Sequence, residues 1–225
     1  MAALRAKLAA EALGTALLVA TVIGSGIMAT QLSRDAGVQL MANALATGAM
    51  LVVLITMFGP VSGAHFNPVV SLVFALRKEL GWSALAPYML AQVTGGLAGT
   101  VLAHLMFGMA PLTAGGAART GAALWFSEAV ATFTLVLAIL MTVRHKTGNV
   151  AFIVGLVITG AYWFTASTSF ANPAVTLARA FTPSFAGIAP ADVPAFMVMQ
   201  GIGALAAWQA DRWLAAGLSE AGNDG

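Results

Sequence analysis

Ser62-Gly63-Ala64-His65-Phe66-Asn67-Pro68-Val69-Val70-Ser71-Leu72-Val73 decides how this chain is read, because it returns far downstream as Thr168-Ser169-Phe170-Ala171-Asn172-Pro173-Ala174-Val175-Thr176-Leu177-Ala178. Each stretch reads as a loop feeding a short helix. Asn67 and Asn172 are good N-caps, and Pro68 and Pro173 fall at the first helical position, where a missing N–H costs nothing. The helices expected over 67–76 and 172–182 are too short to cross a bilayer, which takes about 20 residues. A polar loop at membrane depth persists only where protein buries it or where it lines a wet cavity. Two half-helices, one in each half of the chain, imply a pore with both helix starts aimed at its middle.

The surrounding sequence supplies the membrane. Of 225 residues, 60% are hydrophobic and 8% charged, against roughly 25% charged in a soluble domain, and the mean hydropathy is +0.90. Long charge-free segments without a ten-residue alternating pattern predict an all-α membrane protein rather than a barrel. Its partner is the lipid bilayer. The absence of Cys excludes disulfides and thiolate metal sites, and no residue set suggests a metal or a cofactor. The pI near 9.4 comes from a few loop cations and not from a nucleic-acid-binding patch.

Six spans are expected, at 8–29, 38–58, 84–107, 121–143, 149–166 and 191–213, joined by short linkers. The first carries Glu11 and several glycines and is long enough to span, so it reads as a span and not as a cleaved signal. With both termini on one side, that side receives Arg5, Lys7, Arg77, Lys78, Arg144, Lys146 and Arg212, and the other Arg34, Arg119 and Arg179. This bias puts both termini in the cytoplasm.

The halves repeat. Glu11-Ala12-Leu13-Gly14-Thr15 matches Glu128-Ala129-Val130-Ala131-Thr132, and Ala91-Gln92-Val93-Thr94-Gly95-Gly96 matches Met199-Gln200-Gly201-Ile202-Gly203-Ala204. Three spans per half is odd, so the second copy is inverted and the functional site falls near the midplane. The expected units are 1–110, 121–213 and a cytoplasmic tail at 214–225. At the midplane, Asn67, Pro68 and Val69 face Asn172, Pro173 and Ala174. Each helix start carries about half a positive charge, which repels cations and orients water dipoles oppositely on the two sides. Glu11 and Glu128, buried at matched positions, read as anchors for the loop N–H groups, with a proton relay as the alternative. His65 reads as pore lining or as a structural histidine, His104 as a packed residue and His145 as a loop residue.

Ser62-Gly63-Ala64-His65-x-Asn67-Pro68 and Asn172-Pro173-Ala174 resemble the signatures of the aquaporin family, the major intrinsic proteins, and the likeness runs from Glu11 to Gln200. It implies a homotetramer with one pore per subunit, passive flux of small uncharged solutes, a supporting role for Glu11 and Glu128, and His65 in the cytoplasmic half-pore. Two positions depart from the pattern. Val69 stands where Ala is usual, and Val175 stands where the family usually carries the arginine of its narrowest filter. Arg179, one turn on, is a candidate replacement, although that position normally packs away from the lumen. Ungapped spacing carries the other filter positions to Thr47, Gly160 and Ser169. Thr47, Gly160, Ser169 and Val175 are small, so a wide, uncharged and weakly polar filter is expected. Loss of the arginine widens the expected solutes of such an aquaglyceroporin-like protein to glycerol-like polyols, urea, water and undissociated metalloid acids such as arsenite or methylated arsenicals, and the short loops and termini point to a bacterial inner membrane. A strict water channel, an ion-coupled transporter and a structural junction protein are the competing classes. No catalytic set is visible, so no enzyme is expected.

Overall fold

The structure, a computed structural model, describes residues 2–146 and 149–221. Among these, eight α-helices and no strands form: α1 (Ala2–Leu32), α2 (Ala36–Ser62), α3 (Pro68–Leu76), α4 (Trp82–Met106), α5 (Ala122–His145), α6 (Val150–Phe164), α7 (Pro173–Arg179) and α8 (Val193–Ala221), with a 3-10 turn at Pro190–Asp192. Five are long and apolar enough to cross a membrane. The fifth expected crossing, α6, is apolar but has 15 residues, a rise of about 22 Å. It stops at Thr165 because the chain turns there toward the second half-helix.

Several ends differ from expectation. α1 extends to Ala2, and α2 continues through an internal Pro60 to Ser62, where Gly63 closes it at φ +90° in the left-handed region. Such a φ suits a residue without Cβ. α7 ends at Arg179 rather than 182, because the next residues pair elsewhere. Thr113 N–H donates to the Phe181 carbonyl and Gly115 N–H to the Ala180 carbonyl, each at 3.1 Å. The tail expected at 214–225 is helical through Ala221 as a continuation of α8, since Leu214-Ala215-Ala216 keeps strong helix formers beyond the apolar span. Residues 222–225 lie outside the described part.

Small residues let the long helices approach. A Cβ on Gly95 or Gly99 of α4 would strike the Ala12 or Ala16 carbonyl of α1, and one on Gly203 of α8 would strike the Ala129 carbonyl of α5. Between α2 and α6, a Cβ on Gly48 would lie 2.8 Å from the Gly155 carbonyl oxygen, and one on Gly155 would lie 2.7 Å from that of Gly48. Helices in lipid associate through such close backbone packing.

One end of the bundle is tied by charge. Asp211 of α8, 1% exposed, accepts Arg77 at 2.9 Å and Arg144 at 2.6 Å. The loop after α3, the end of α5 and α8 therefore meet at one face. At the other end, Asp192 accepts the Arg119 N–H at 2.7 Å and the Thr120 hydroxyl at 2.6 Å, holding the long loop between α4 and α5 against the start of α8.

Candidate functional site: two half-helices around a cavity

Each loop leading to a half-helix lacks regular backbone partners, so its N–H groups need an acceptor. Glu11, fully buried, supplies one. Its Oε1 accepts the Ser62 hydroxyl at 2.7 Å and the His65 N–H at 3.0 Å, and its Oε2 accepts the Phe66 N–H and the Gln92 amide, both at 2.7 Å. Gln92 also donates to the Ser71 hydroxyl at 2.9 Å. Glu128 does the same in the other half, accepting the Phe170 and Ala171 N–H groups at 2.9 Å and the Gln200 amide at 2.6 Å, while Gln200 donates to the Thr176 hydroxyl at 2.8 Å. Both carboxylates accept from loop N–H groups and from a glutamine of a crossing helix, an arrangement that fits anchoring. Gln92 and Gln200 complete these networks, and their place in the repeated sequence blocks was the signal for them.

The loops also share backbone shape. Ala64, Phe66, Ser169 and Ala171 take φ between +49° and +51°, and Thr168, at the place of Gly63, takes +61°. Non-glycine residues at such angles are strained. They persist here because the buried carboxylates fix the neighbouring N–H groups.

The half-helices meet head to head. The Asn67 side chain caps α3 by accepting the Val69 N–H at 3.1 Å, and its amide nitrogen donates across to the Ala171 carbonyl at 2.8 Å. Asn172 accepts the Ala174 and Val175 N–H groups at 3.0 and 3.3 Å and donates back to the Phe66 carbonyl at 2.8 Å. This reciprocal bond locks the two loops together. Each amide has a second N–H, and both asparagines line a cavity of about 390 Å³.

That cavity runs from Thr56, Val143 and Asn149 at one end, past Asn67 and Asn172, to Thr47, Tyr162 and Ser169. Its walls between are aliphatic. Leu18 and Val22 of α1 stand where Leu135 and Ile139 of α5 stand in the other half. His65 lies on the wall of the first half, its Nδ1 3.0 Å from the Ser71 hydroxyl and its ring 4.7 Å from Phe74 and 5.6 Å from Tyr88. Pro68, Val69, Pro173 and Ala174 do not line the cavity. They are buried at the helix starts and set the asparagines' position.

At the far end, Thr47, Ser169 and Val175 line the cavity as a group. Gly160 does not. It is on the outward face of α6, beside exposed Phe152, Leu156 and Trp163. Val150, Val154, Ile158 and Tyr162, spaced by four, form the inward face. Tyr162 therefore takes the place assigned to Gly160, with its hydroxyl 3.3 Å from that of Thr47. The filter expected from spacing is corrected at this position. Ungapped spacing across the turn at Thr165 does not say which face of α6 is inward, and the four-residue spacing of inward positions was the overlooked signal. Arg179 also lines the cavity, against the expectation that it packs away. It donates from Nε to the Ala186 carbonyl, and its guanidinium lies 3.3 Å from the centre of the Phe170 ring. His104 is fully buried, with Nε2 2.8 Å from the Thr182 hydroxyl, and His145 is exposed.

Crossing helices with two capped half-helices meeting at an internal cavity define a membrane channel for small solutes. The chain belongs to the major intrinsic protein family, whose profile matches residues 1–164. It is 58% identical over 205 residues to aquaglyceroporin AqpS of Rhizobium meliloti (strain 1021), covering 91% of this chain and 88% of that one. It is 33% identical over 178 residues to probable aquaporin NIP7-1 of Arabidopsis thaliana, covering 76% and 64%. The fold matches the X-ray structure of the aquaglyceroporin from Plasmodium falciparum with a TM-score of 0.76 at 20% identity, over 92% of this chain and 94% of that one. Family members are channels and not enzymes.

Proposed function

We propose that this channel passes uncharged solutes larger than water, passively, and that glycerol-like polyols, urea and undissociated metalloid acids, including arsenite and methylated arsenicals, are its substrate class. Val175 carries the reading. At the position where the family usually places a filter arginine, the half-helix instead presents a short aliphatic side chain to the cavity. A guanidinium there would cross the lumen with fixed donors. With Val175, the side chains at this level are Thr47, Tyr162 and Ser169 beside apolar wall, and Arg179 stands one turn further on. Such a ring exchanges hydrogen bonds with a hydroxylated solute. Similarity to a relative named an aquaglyceroporin supports the same class.

In this reading residues 1–110 and 121–213 are inverted repeats, the protein is a homotetramer with one pore per subunit, and it sits in a bacterial inner membrane with both termini cytoplasmic. The shared end of Arg77, Arg144 and Asp211 agrees with the cation bias that sets that orientation.

Stopped-flow light scattering of proteoliposomes tests the reading, with water, glycerol and an undissociated metalloid acid as solutes, with and without proton and sodium gradients. Flux of all three, indifferent to the gradients, is the expected result. Water flux alone would mean a strict water channel, and flux driven by a gradient would mean a coupled transporter.

A further inference from the structure

The two halves differ where a charge matters most. Phe74 stands on α3 seven residues after Asn67, and Arg179 stands on α7 seven residues after Asn172. In the first half Phe74 packs on His65. In the second, Arg179 packs on Phe170, the residue at the place of His65. The second half thus puts a cation where the first puts a ring, and that cation lines the cavity at its Thr47 and Ser169 end.

Arg179 is not neutralised there. It is 2% exposed, its Nε donates to the Ala186 carbonyl, and its two terminal nitrogens make no hydrogen bond to the described residues. No carboxylate pairs with it among the described residues. Glu128, behind the loop, is engaged with Phe170, Ala171 and Gln200. Asp192 is engaged with the Arg119 N–H and Thr120. A second guanidinium, that of Arg119, lies 4.8 Å from the same Phe170 ring and is fixed by the Gly187 and Ser167 carbonyls at 3.2 and 3.1 Å. The neighbouring Ser169 hydroxyl is buried on the cavity wall and has no hydrogen-bond partner among the described residues. Unpartnered donors converge on one end of the lumen, over a ring that holds two cations.

We infer that Arg179, seated on Phe170 and backed by Arg119, is the charge that excludes cations from this pore, doing from one helical turn further on what position 175 does not do. Displaced by a turn and folded against the ring, the guanidinium leaves the lumen beside Val175 open to a bulky neutral solute. Its field still faces the passing molecule. A cation meets an uncompensated positive charge in a low-dielectric wall and loses its hydration there. A neutral hydroxylated solute meets free N–H donors. This rests on the channel reading above and adds the residue that makes so open a filter tight to ions.

The test measures leak and solute flux in the same vesicles. A pH-sensitive dye reports proton entry under a potassium diffusion potential, a sodium dye reports sodium entry, and light scattering reports glycerol and water flux. Wild type should leak no more protons or sodium than empty vesicles. Arg179→Phe, which copies Phe74, should raise proton or sodium leak about tenfold or more, equivalent to about 1.4 kcal/mol off the barrier, while glycerol flux changes by less than that factor. Arg179→Lys should stay tight. Val175→Arg added to Arg179→Phe should restore the seal. Arg179→Gln, which keeps a donor for Ala186 without the charge, should leak as Phe does, and it decides the matter if the Phe variant does not assemble. A wild type that leaks sodium, or a glycerol-conducting Phe or Gln variant as tight as wild type, overturns the inference. Wild type that passes water but not glycerol would sink the substrate reading alone, and the leak comparison would then be read against water flux.

Discussion

The first and second half-helix loops are built on one scaffold and finished differently. Glu11, Gln92 and Ser71 do for the first what Glu128, Gln200 and Thr176 do for the second, down to hydrogen bonds between 2.6 and 3.0 Å. The side chains facing the cavity diverge. His65 with Phe74 and Tyr88 stands opposite Phe170 with Arg179 and Arg119. The scaffold is shared because both loops present the same unpaired N–H groups to a medium that cannot solvate them. The wall is free to differ because it touches only what passes.

If the scaffold halves are equivalent, breaking either should cost about equally per bond lost. Glu11→Leu leaves four donors without their acceptor and Glu128→Leu leaves three, at about 1–3 kcal/mol for each donor left unpaired. Both variants should fail to assemble or lose most thermal stability, Glu11→Leu the more. Glu→Gln at either position keeps a carbonyl acceptor and should retain folded protein. Size-exclusion chromatography and thermal melts in detergent measure this. Leu tolerated better than Gln at both positions would mean the carboxylates are not anchors.

The asparagine pair comes next. Asn67→Ala and Asn172→Ala each remove one cap, about 1 kcal/mol, and one arm of the reciprocal bond across the midplane. Each should lower the melting temperature by a similar amount, and the double variant should lose less than the sum, because the two arms lock the same contact. Full additivity would show that the two bonds act separately.

A smaller effect, with opposite signs, separates the loops at one residue. Gly63 has φ +90° and Thr168 has φ +61°. A Cβ at Gly63 would be strained and would lie 3.1 Å from His65 Nε2, so Gly63→Ala should destabilise by about 1–2 kcal/mol. Thr168→Gly relieves a β-branched residue at a left-handed angle and should stabilise by about 0.5–1 kcal/mol. Melting curves of both variants decide it, and a loss at Thr168 would show that its side chain holds the loop.

This contrast also explains what could be read from residues alone. The scaffold was legible. Carboxylates inside apolar spans, an Asn-Pro step and a Gln before small residues are rare enough in a membrane sequence that finding each twice fixes the fold and its midplane. The filter was only half legible. Ser169 and Val175 follow from positions beside a half-helix, where the capped backbone keeps the register, and Thr47 from the unbroken run of α2. Gly160 and Tyr162 sit across the turn at Thr165 on opposite faces of α6, and ungapped spacing across a turn does not say which face is inward. Arg179 shares a helix face with Val175, but whether its long side chain turns to the cavity depends on Phe170 and the Ala186 carbonyl, which lie outside its own helix.

The central claim is that a short aliphatic residue at position 175 opens the filter to solutes larger than water. Stopped-flow fluxes of water and glycerol through wild type and Val175→Arg test it directly. A planar cation across the lumen should cut glycerol flux about tenfold or more, a barrier increase of about 1.4 kcal/mol, while water flux falls far less. Equal losses of both, or a wild type that passes water and no glycerol, would contradict the account.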